Sequence, residues 1–284
     1  MVGAGQPTTT ASGAGFLDLL RDRLGQRPAS PFFARLAAAE PKKRYLIATS
    51  ARSGGAFLCA RIADYGELGF PMEFLNESYI AEFDRLFPQP NLADYERYVT
   101  GAFASQGGIF GVKTDWWRFQ TARQLGLFDA LLDPIDLIVH LRRDDFVAQA
   151  VSLTLAVETE VWHGRDVQEQ ALDTWHGQIA YDPEKVKENA RNILNQEHHW
   201  RRFIAETGAP AIDLVYEEVA KDVDSAIRSL ADAFDLRRGA KPARSEAIRH
   251  ARSDTARLWC DRFRAECKDF VEFWTEYRGL ITAA

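Results

Sequence analysis

Between Tyr45 and Leu58 the chain reads Tyr-Leu-Ile-Ala-Thr-Ser-Ala-Arg-Ser-Gly-Gly-Ala-Phe-Leu, and this stretch limits the fold more than any other. An apolar run of strand formers enters a short turn of small residues that carries one arginine, Arg52. The turn opens onto Phe57-Leu58-Cys59-Ala60-Arg61-Ile62-Ala63, whose apolar spacing predicts a helix. A strand, a tight turn and a helix N-terminus together make a cradle for an anion. Backbone N–H groups and the positive end of the helix dipole converge there, and glycines let the anion come close to the main chain.

The alternation of strand and helix continues along the chain. Ile109–Lys113 predicts a second short buried strand, and Ile135–Leu141 a third, followed by a helix from about Asp144 to Thr159. Residues 167–207 read as two helices divided near Asp182-Pro183. Ala211–Tyr216 predicts a fourth strand, with a helix over 218–235 after it. Residues 78–106 read as irregular to helical, punctuated by Pro88 and Pro90, and the remainder through Trp274 as helical and charged. Ahead of the first strand, residues 1–13 read as a disordered tail, and Phe16, Leu17, Leu19, Leu20 and Leu24 trace a short amphipathic helix that breaks at Pro28 and Pro31. Four strands alternating with helical patterns predict a three-layer α/β/α fold. Its central, mostly parallel sheet is covered by helices on both faces, its C-terminal part is helical, and a single domain spans residues 14–284.

Composition narrows the function classes. A net charge of -6 argues against broad nucleic-acid binding but leaves room for a local basic pocket. Three cysteines, Cys59, Cys260 and Cys267, are too few and too scattered for a disulfide framework or a zinc site. His198 and His199 are adjacent, so on a helix they point to different faces and make no metal pair. No run approaches the roughly 20 apolar residues of a membrane span, and the first residues lack the basic start and apolar core of a signal peptide. The expectation is a cytoplasmic protein with no metal, no nucleic-acid partner and no stable membrane insertion.

The cradle lacks the G-x-x-x-x-G-K-[ST] pattern of nucleotide triphosphatases and the G-x-G-x-x-G pattern of dinucleotide binders. An anion site built on an arginine, without a magnesium ligand, suits a donor whose transferred group needs no metal clamp, such as the sulfuryl group of an adenylyl phosphosulfate. The third strand adds a second signal in His140-Leu141-Arg142-Arg143-Asp144-Asp145, with Gln149 and Ser152 on the helix that follows. A strand-end arginine and a serine about two turns into the next helix reach one phosphate. In open α/β sheets ligands collect at the carboxyl ends of strands. Two anion sites at neighbouring strand ends suit a ligand carrying phosphates at both ends. The competing reading makes Arg142 and Arg143 a solvated pair with a partner such as Asp144. For Trp116 and Trp117, stacking on a sugar or an adenine competes with buried packing.

Taken in order, these motifs resemble bacterial sulfotransferases of the trehalose 2-sulfotransferase type, which use 3′-phosphoadenosine 5′-phosphosulfate (PAPS) and release 3′-phosphoadenosine 5′-phosphate (PAP). Ser50-Ala51-Arg52-Ser53-Gly54-Gly55-Ala56-Phe57-Leu58 resembles the family's S-x-R-S-G-S-T-L-L, and Gly69-Phe70-Pro71-Met72-Glu73-Phe74-Leu75 its G-x-P-x-E-F-F. Arg142 to Ser152, followed by Val161-Trp162-His163-Gly164-Arg165, resembles H-R-P-D-V-V-S-Q-A-V-S and V-W-x-G-R. Weaker echoes are Gly111-Val112-Lys113 before a tryptophan, Ile212 to Tyr216, and Arg252-Ser253-Asp254. The resemblance implies a nucleoside-phosphate-loop-like sulfotransferase fold and a homodimer. It implies that Arg52, Ser53, Gly54 and Gly55, with Ala56 and Phe57 behind them, hold the 5′-phosphosulfate, and that Arg143 and Ser152, joined by Arg252, hold the 3′-phosphate. It makes Glu73 the general base, with Lys113, Trp116 and Trp117 on the acceptor side and Arg52 steadying charge on the leaving phosphate. Chemistry agrees for Glu73, because a hydroxyl attacking sulfur in line needs a carboxylate opposite the leaving group. Met72 and Phe74 beside it are expected to raise its pKa by desolvation.

The chain also departs from that family. Gly55-Ala56 stands where the family has Ser-Thr, Phe70 replaces an acidic residue, and Lys113-Thr114-Asp115-Trp116-Trp117 differs from the family's version. Trehalose is therefore not carried over as the acceptor, and the expectation is a hydroxyl of a carbohydrate or glycolipid. Two alternatives stay open: a kinase-like phosphotransferase on the same architecture, and a catalytically weak nucleotide-binding protein that Gly55-Ala56 would suit.

Overall fold

The computed structural model describes residues 40–86, 92–124, 126, 131–162, 169–236 and 253–283. Within them the chain forms β1 (Lys43–Thr49), α1 (Gly55–Tyr65), α2 (Glu77–Leu86), α3 (Leu92–Phe103), β2 (Ile109–Asp115), α4 (Trp116–Gln124), β3 (Leu137–Arg142), α5 (Phe146–Thr159), α6 (Glu169–His176), α7 (Pro183–Thr207), β4 (Ala211–Val215), α8 (Tyr216–Lys221), α9 (Val223–Ala233), α10 (Asp254–Glu266) and α11 (Lys268–Ala283). The strands form one parallel sheet in the order β2-β1-β3-β4. β3 and β4 run in register from Ile138↔Ala211 to Arg142↔Val215. The architecture is the expected α/β fold with a parallel sheet and a helical C-terminal part. The expected N-terminal tail and the helix around Phe16–Leu24 lie outside the described residues.

Two compact units share the chain, and their boundary falls inside β1. The first takes residues 1–46 and 66–136; the second takes 47–65 and 137–284. The first unit is built on aromatics. Phe74 stacks on Phe110 with ring centroids 5.4 Å apart and meets Phe103 edge-on at 5.0 Å, while Phe83 and Tyr98 close the cluster at 6.0 Å. Tyr95, fully buried, donates its hydroxyl to Phe74 O at 2.7 Å, as a buried phenol must.

The second unit packs α5 against α7 and α10. Phe146, Val147, Ala150, Val151 and Leu155 meet Val186, Ala190, Ile193 and Leu194 from α7 and Trp259 and Phe263 from α10. A helix that is apolar nearly all round belongs inside, and α5 begins where Asp145 caps it, accepting from Ala148 N at 2.9 Å. The division expected at Asp182-Pro183 is there for the same reason. Asp182 accepts from Glu184 N at 2.9 Å, Pro183 occupies the first turn, and Gly208 ends α7 in the left-handed conformation. Trp200 of α7 is fully buried and donates Nε1–H to Thr49 O at the end of β1, at 2.8 Å. The single helix expected over 218–235 is two. Asp222 leaves the helical region at φ -142 and its carboxylate caps α9 through Ser225 N at 3.0 Å, so the chain restarts there.

Candidate active site

In the second unit the loop from Ser50 to Gly54 carries the anion cradle. Arg52 sits at φ +64, a conformation uncommon for a residue with a side chain. Gly54 sits at φ +89 against Tyr216, and a Cβ there would lie 2.2 Å from Tyr216 Cδ2. Only glycine fits both constraints. The first rung of α1 runs from Leu58 N to Gly54 O at 3.1 Å, so the amides of Gly55 and Ala56 precede the helical ladder. α5 braces the loop from inside. Gln149 is fully buried in an apolar helix and must find partners, and its Nε2 donates to Ser50 Oγ at 2.9 Å and to Ala51 O at 2.7 Å. Ser53 is 1% exposed, and its hydroxyl has no hydrogen-bond partner.

The loop after β3 brings the second guanidinium. Arg143 lies over the Tyr216 ring at 5.2 Å, with Nη1 3.5 Å from Arg52 O. Glu217 fixes this loop by accepting from Asp144 N at 2.9 Å and Asp145 N at 3.2 Å, and it stands 3.8 Å from Arg143 Nε. Arg142 pairs with Asp144, the partner the competing reading named, while Arg143 has the Glu217 carboxylate beside it. Arg52 donates Nε–H to Ser152 Oγ at 2.9 Å and also bonds Trp162 O. Burial first and the neighbouring Arg143 second push the Arg52 guanidinium below its ordinary pKa. Arg52, Ser53, Gly54, Gly55, Arg143 and Ser152 are thus gathered within one unit, at the ends of the adjacent strands β1 and β3.

In the first unit, the segment after Gly69 is tied to β2. Met72 forms a parallel bridge with Val112, and Lys113 N donates to Met72 O at 2.9 Å. This pairing sets Glu73 beside Lys113, with Nζ–Oε1 at 2.5 Å, and Asn76 Nδ2 donates to Glu73 Oε2 at 2.6 Å. Arg118, paired with Asp115 and 3.3 Å from Glu77, adds positive potential. The expected rise in the Glu73 pKa is therefore corrected. Burial does push the carboxyl up, but Lys113, Asn76 and Arg118 together hold it below its ordinary value. Phe74, one of the two neighbours invoked for desolvation, is fully buried in the aromatic core instead.

Other expected site residues are placed less directly. Phe57 is buried in the core, leaving its backbone to meet a ligand. Trp116 is 7% exposed and packs on Phe119 at 5.5 Å, which is the packing alternative for that residue, while Trp117 is half-buried. Arg252 and His163 lie outside the described residues. Ser253 caps α10 by accepting from Ala256 N at 3.1 Å, and His176 Nδ1 stands 2.6 Å from its Oγ. Among the described residues no group of His, Cys, Asp and Glu could hold a metal ion. No described helix is long and apolar enough to cross a membrane. Sequence reasoning gave no role to Gln149, Asn76 or Glu217. A lone glutamine inside an apolar helix was the readable signal for the first, and the three-residue spacing from Glu73 for the second; Glu217 offers none.

A family model described as Stf0 sulphotransferase matches residues 119–266. Over 260 residues the chain is 28% identical to trehalose 2-sulfotransferase from Mycobacterium tuberculosis, covering 78% of this chain and 94% of that protein. It is 27% identical over 265 residues to the trehalose 2-sulfotransferase of Mycolicibacterium smegmatis, covering 79% and 95%. Among solved structures, a sulfotransferase from Alicyclobacillus acidocaldarius aligns with 84% of this chain and 97% of its own, at 16% identity and a TM-score of 0.46.

Proposed function

This chain belongs to the Stf0 sulphotransferase family, and from that premise we propose that it moves a sulfuryl group from PAPS to a hydroxyl of a carbohydrate or glycolipid acceptor. One observation carries the donor assignment: the neighbouring loops after β1 and β3 each bring one arginine, Arg52 and Arg143, with Arg143 Nη1 3.5 Å from Arg52 O and, after burial, the Arg143 charge depressing the Arg52 pKa. Two positive charges in mutual repulsion, one of them desolvated, favour a ligand that brings negative charge to both. The fit is supported by two enclosed polar atoms, Ser53 Oγ and Arg143 Nε, that have no hydrogen-bond partner. Leaving such groups unsatisfied costs about 1–3 kcal/mol each, and phosphate or sulfate oxygens are acceptors for both.

When bound, PAPS supplies the sulfuryl group: the acceptor oxygen–sulfur bond forms as the bond from sulfur to the 5′-phosphate oxygen breaks, and PAP leaves. Arg52, the Ser53 hydroxyl and the amides of Gly55 and Ala56 hold the charge that grows on the 5′-phosphate. Arg143 and Ser152 hold the 3′-phosphate, with the Tyr216 ring beneath the Arg143 guanidinium. Glu73 takes the acceptor proton on a carboxylate oxygen, and Lys113 and Asn76 orient that carboxylate. Gly55-Ala56 lacks the two hydroxyls of the family's Ser-Thr pattern, at about 1.5–3 kcal/mol for each charged hydrogen bond lost. Donor affinity is therefore lower than a Ser-Thr loop would give.

Calorimetry with PAP in the presence of a chelator tests the donor half. Micromolar binding without metal is the expected result, and no binding at millimolar PAP overturns it. A mass-spectrometric screen for sulfate transfer from PAPS to sugars and glycolipids tests the acceptor half. The pH profile tests Glu73 and Lys113 together. An ionised Glu73 is the active form, and its pKa is depressed, so the acid limb of kcat/KM is expected below pH 4.5, the carboxyl's ordinary value. Lys113→Met removes the leading downward pull and leaves burial in place, so the limb moves to higher pH. A limb that stays put, or moves down, removes Lys113 from this role.

A further inference from the structure

Glu197 in the middle of α7 and Arg278 in the second half of α11 form a buried ion pair, at 2% and 8% exposure. The contact is a fork: Nε–H donates to Oε2 at 2.9 Å and Nη2–H to Oε1 at 2.8 Å. The same guanidinium donates to two main-chain oxygens, Nη1–H to Asp144 O at 2.7 Å and Nη2–H to Arg143 O at 2.6 Å. Arg143 and Asp144 are the loop after β3 that presents the second anion-binding guanidinium. Glu217 takes the amides of Asp144 and Asp145 on the same loop. Arg278 from α11, itself fixed by Glu197 from α7, therefore holds the carbonyls of these few residues, and Glu217 from α8 holds the amides.

A buried ion pair is a poor device for stability alone. Desolvating two charges costs several kcal/mol per ion, and apolar residues of similar volume often serve as well or better. Its fixed geometry, by contrast, is what a binding loop needs. A planar guanidinium anchored by a carboxylate presents its remaining N–H groups in set directions, which a lysine at the same place cannot do. We propose that Arg278, oriented by Glu197, is a positioning residue for the donor site, holding the Arg143 loop so that its guanidinium meets the 3′-phosphate. The inference rests on the donor reading above. It extends that reading to a residue 135 positions along the chain from Arg143.

The test compares binding of PAP and of adenosine 5′-monophosphate, which lacks the 3′-phosphate, to the full chain and to three variants. Arg278→Met is expected to weaken PAP binding by about 10–100-fold, the order that a misplacement of about 1 Å costs, with the monophosphate changed by less than about threefold. Arg278→Lys is expected to fall between. The double variant Glu197→Leu with Arg278→Met removes the unpaired charge; it is expected to regain thermal stability and not PAP affinity. If the double variant regains both, the pair acts on folding alone and the inference is overturned. Unaltered protein that binds PAP, with Arg278→Met binding it equally well, overturns this inference and leaves the donor reading standing. Unaltered protein that binds no PAP overturns both.

Discussion

Glu73→Gln is expected to lower the turnover of sulfate transfer by about 10²–10⁴-fold, the range in which a positioned general base contributes, with PAP bound as tightly as before. The amide keeps the volume of the carboxyl and an oxygen for Lys113 Nζ, which now stands 2.5 Å from Oε1. It loses the basic lone pair, so the acceptor hydroxyl keeps its proton as sulfur approaches. Asn76, whose Nδ2–H donates to Oε2 at 2.6 Å, faces a nitrogen or an oxygen depending on how the amide turns, and a modest rise in acceptor KM accompanies the loss. Steady-state rates at saturating donor, paired with PAP calorimetry, separate the two effects. Turnover within fivefold of the parent takes Glu73 out of the proton transfer. A matching loss of PAP affinity would show a disturbed fold rather than a lost base.

Gly54→Ala is expected to damage the donor site through sterics alone, with no change in charge. The new Cβ would enter the Tyr216 ring, 2.2 Å from Cδ2 and 2.8 Å from Cε2, and φ +89 is strained for any side chain. Overpacking and left-handed strain together cost about 2–5 kcal/mol. Tyr216 cannot yield quietly, because the Arg143 guanidinium rests over its ring at 5.2 Å. A single methyl group thus disturbs the loop after β1 and the platform under Arg143 at once. The expected readouts are a Tm lower by about 5–15 °C and PAP binding lost or weakened beyond tenfold. An alanine variant with parental Tm and affinity would mean that Gly54 and Tyr216 are not packed as described.

The sequence showed most where local chemistry decides the structure. Asp182-Pro183 announced a helix start because a carboxylate cap and a fixed φ act within three residues. The cradle from Ser50 to Phe57 was legible because small residues between a strand and a helix leave little else to form. Asp222 shows the limit of local reading. Its aspartate sits inside an apolar-periodic run, and only its departure from helical φ and ψ turned a residue into a cap. Glu73 was located but its surroundings were misjudged, since chain neighbours of an extended residue alternate in direction. Phe74 went to the aromatic core, and the bridge from Met72 to Val112 supplied Lys113, about 40 positions away, as the neighbour that sets the charge. Glu217 and Arg278 meet the β3 loop, and Glu197 meets Arg278, through tertiary packing, and no periodicity or motif in a single chain marks such contacts in advance.

Trp200 and Glu197 lie three residues apart on α7, hence on one side of it. The indole grips the last carbonyl of β1, and the carboxylate, through Arg278, governs the turn that follows β3. One helix therefore acts as a caliper, gauging the separation of the two arginine-bearing bends from beneath. A one-residue insertion in α7 between these two positions would rotate one jaw about 100° away from the other. The span that the bends can bridge is written into a helix that carries none of the residues assigned to the ligands.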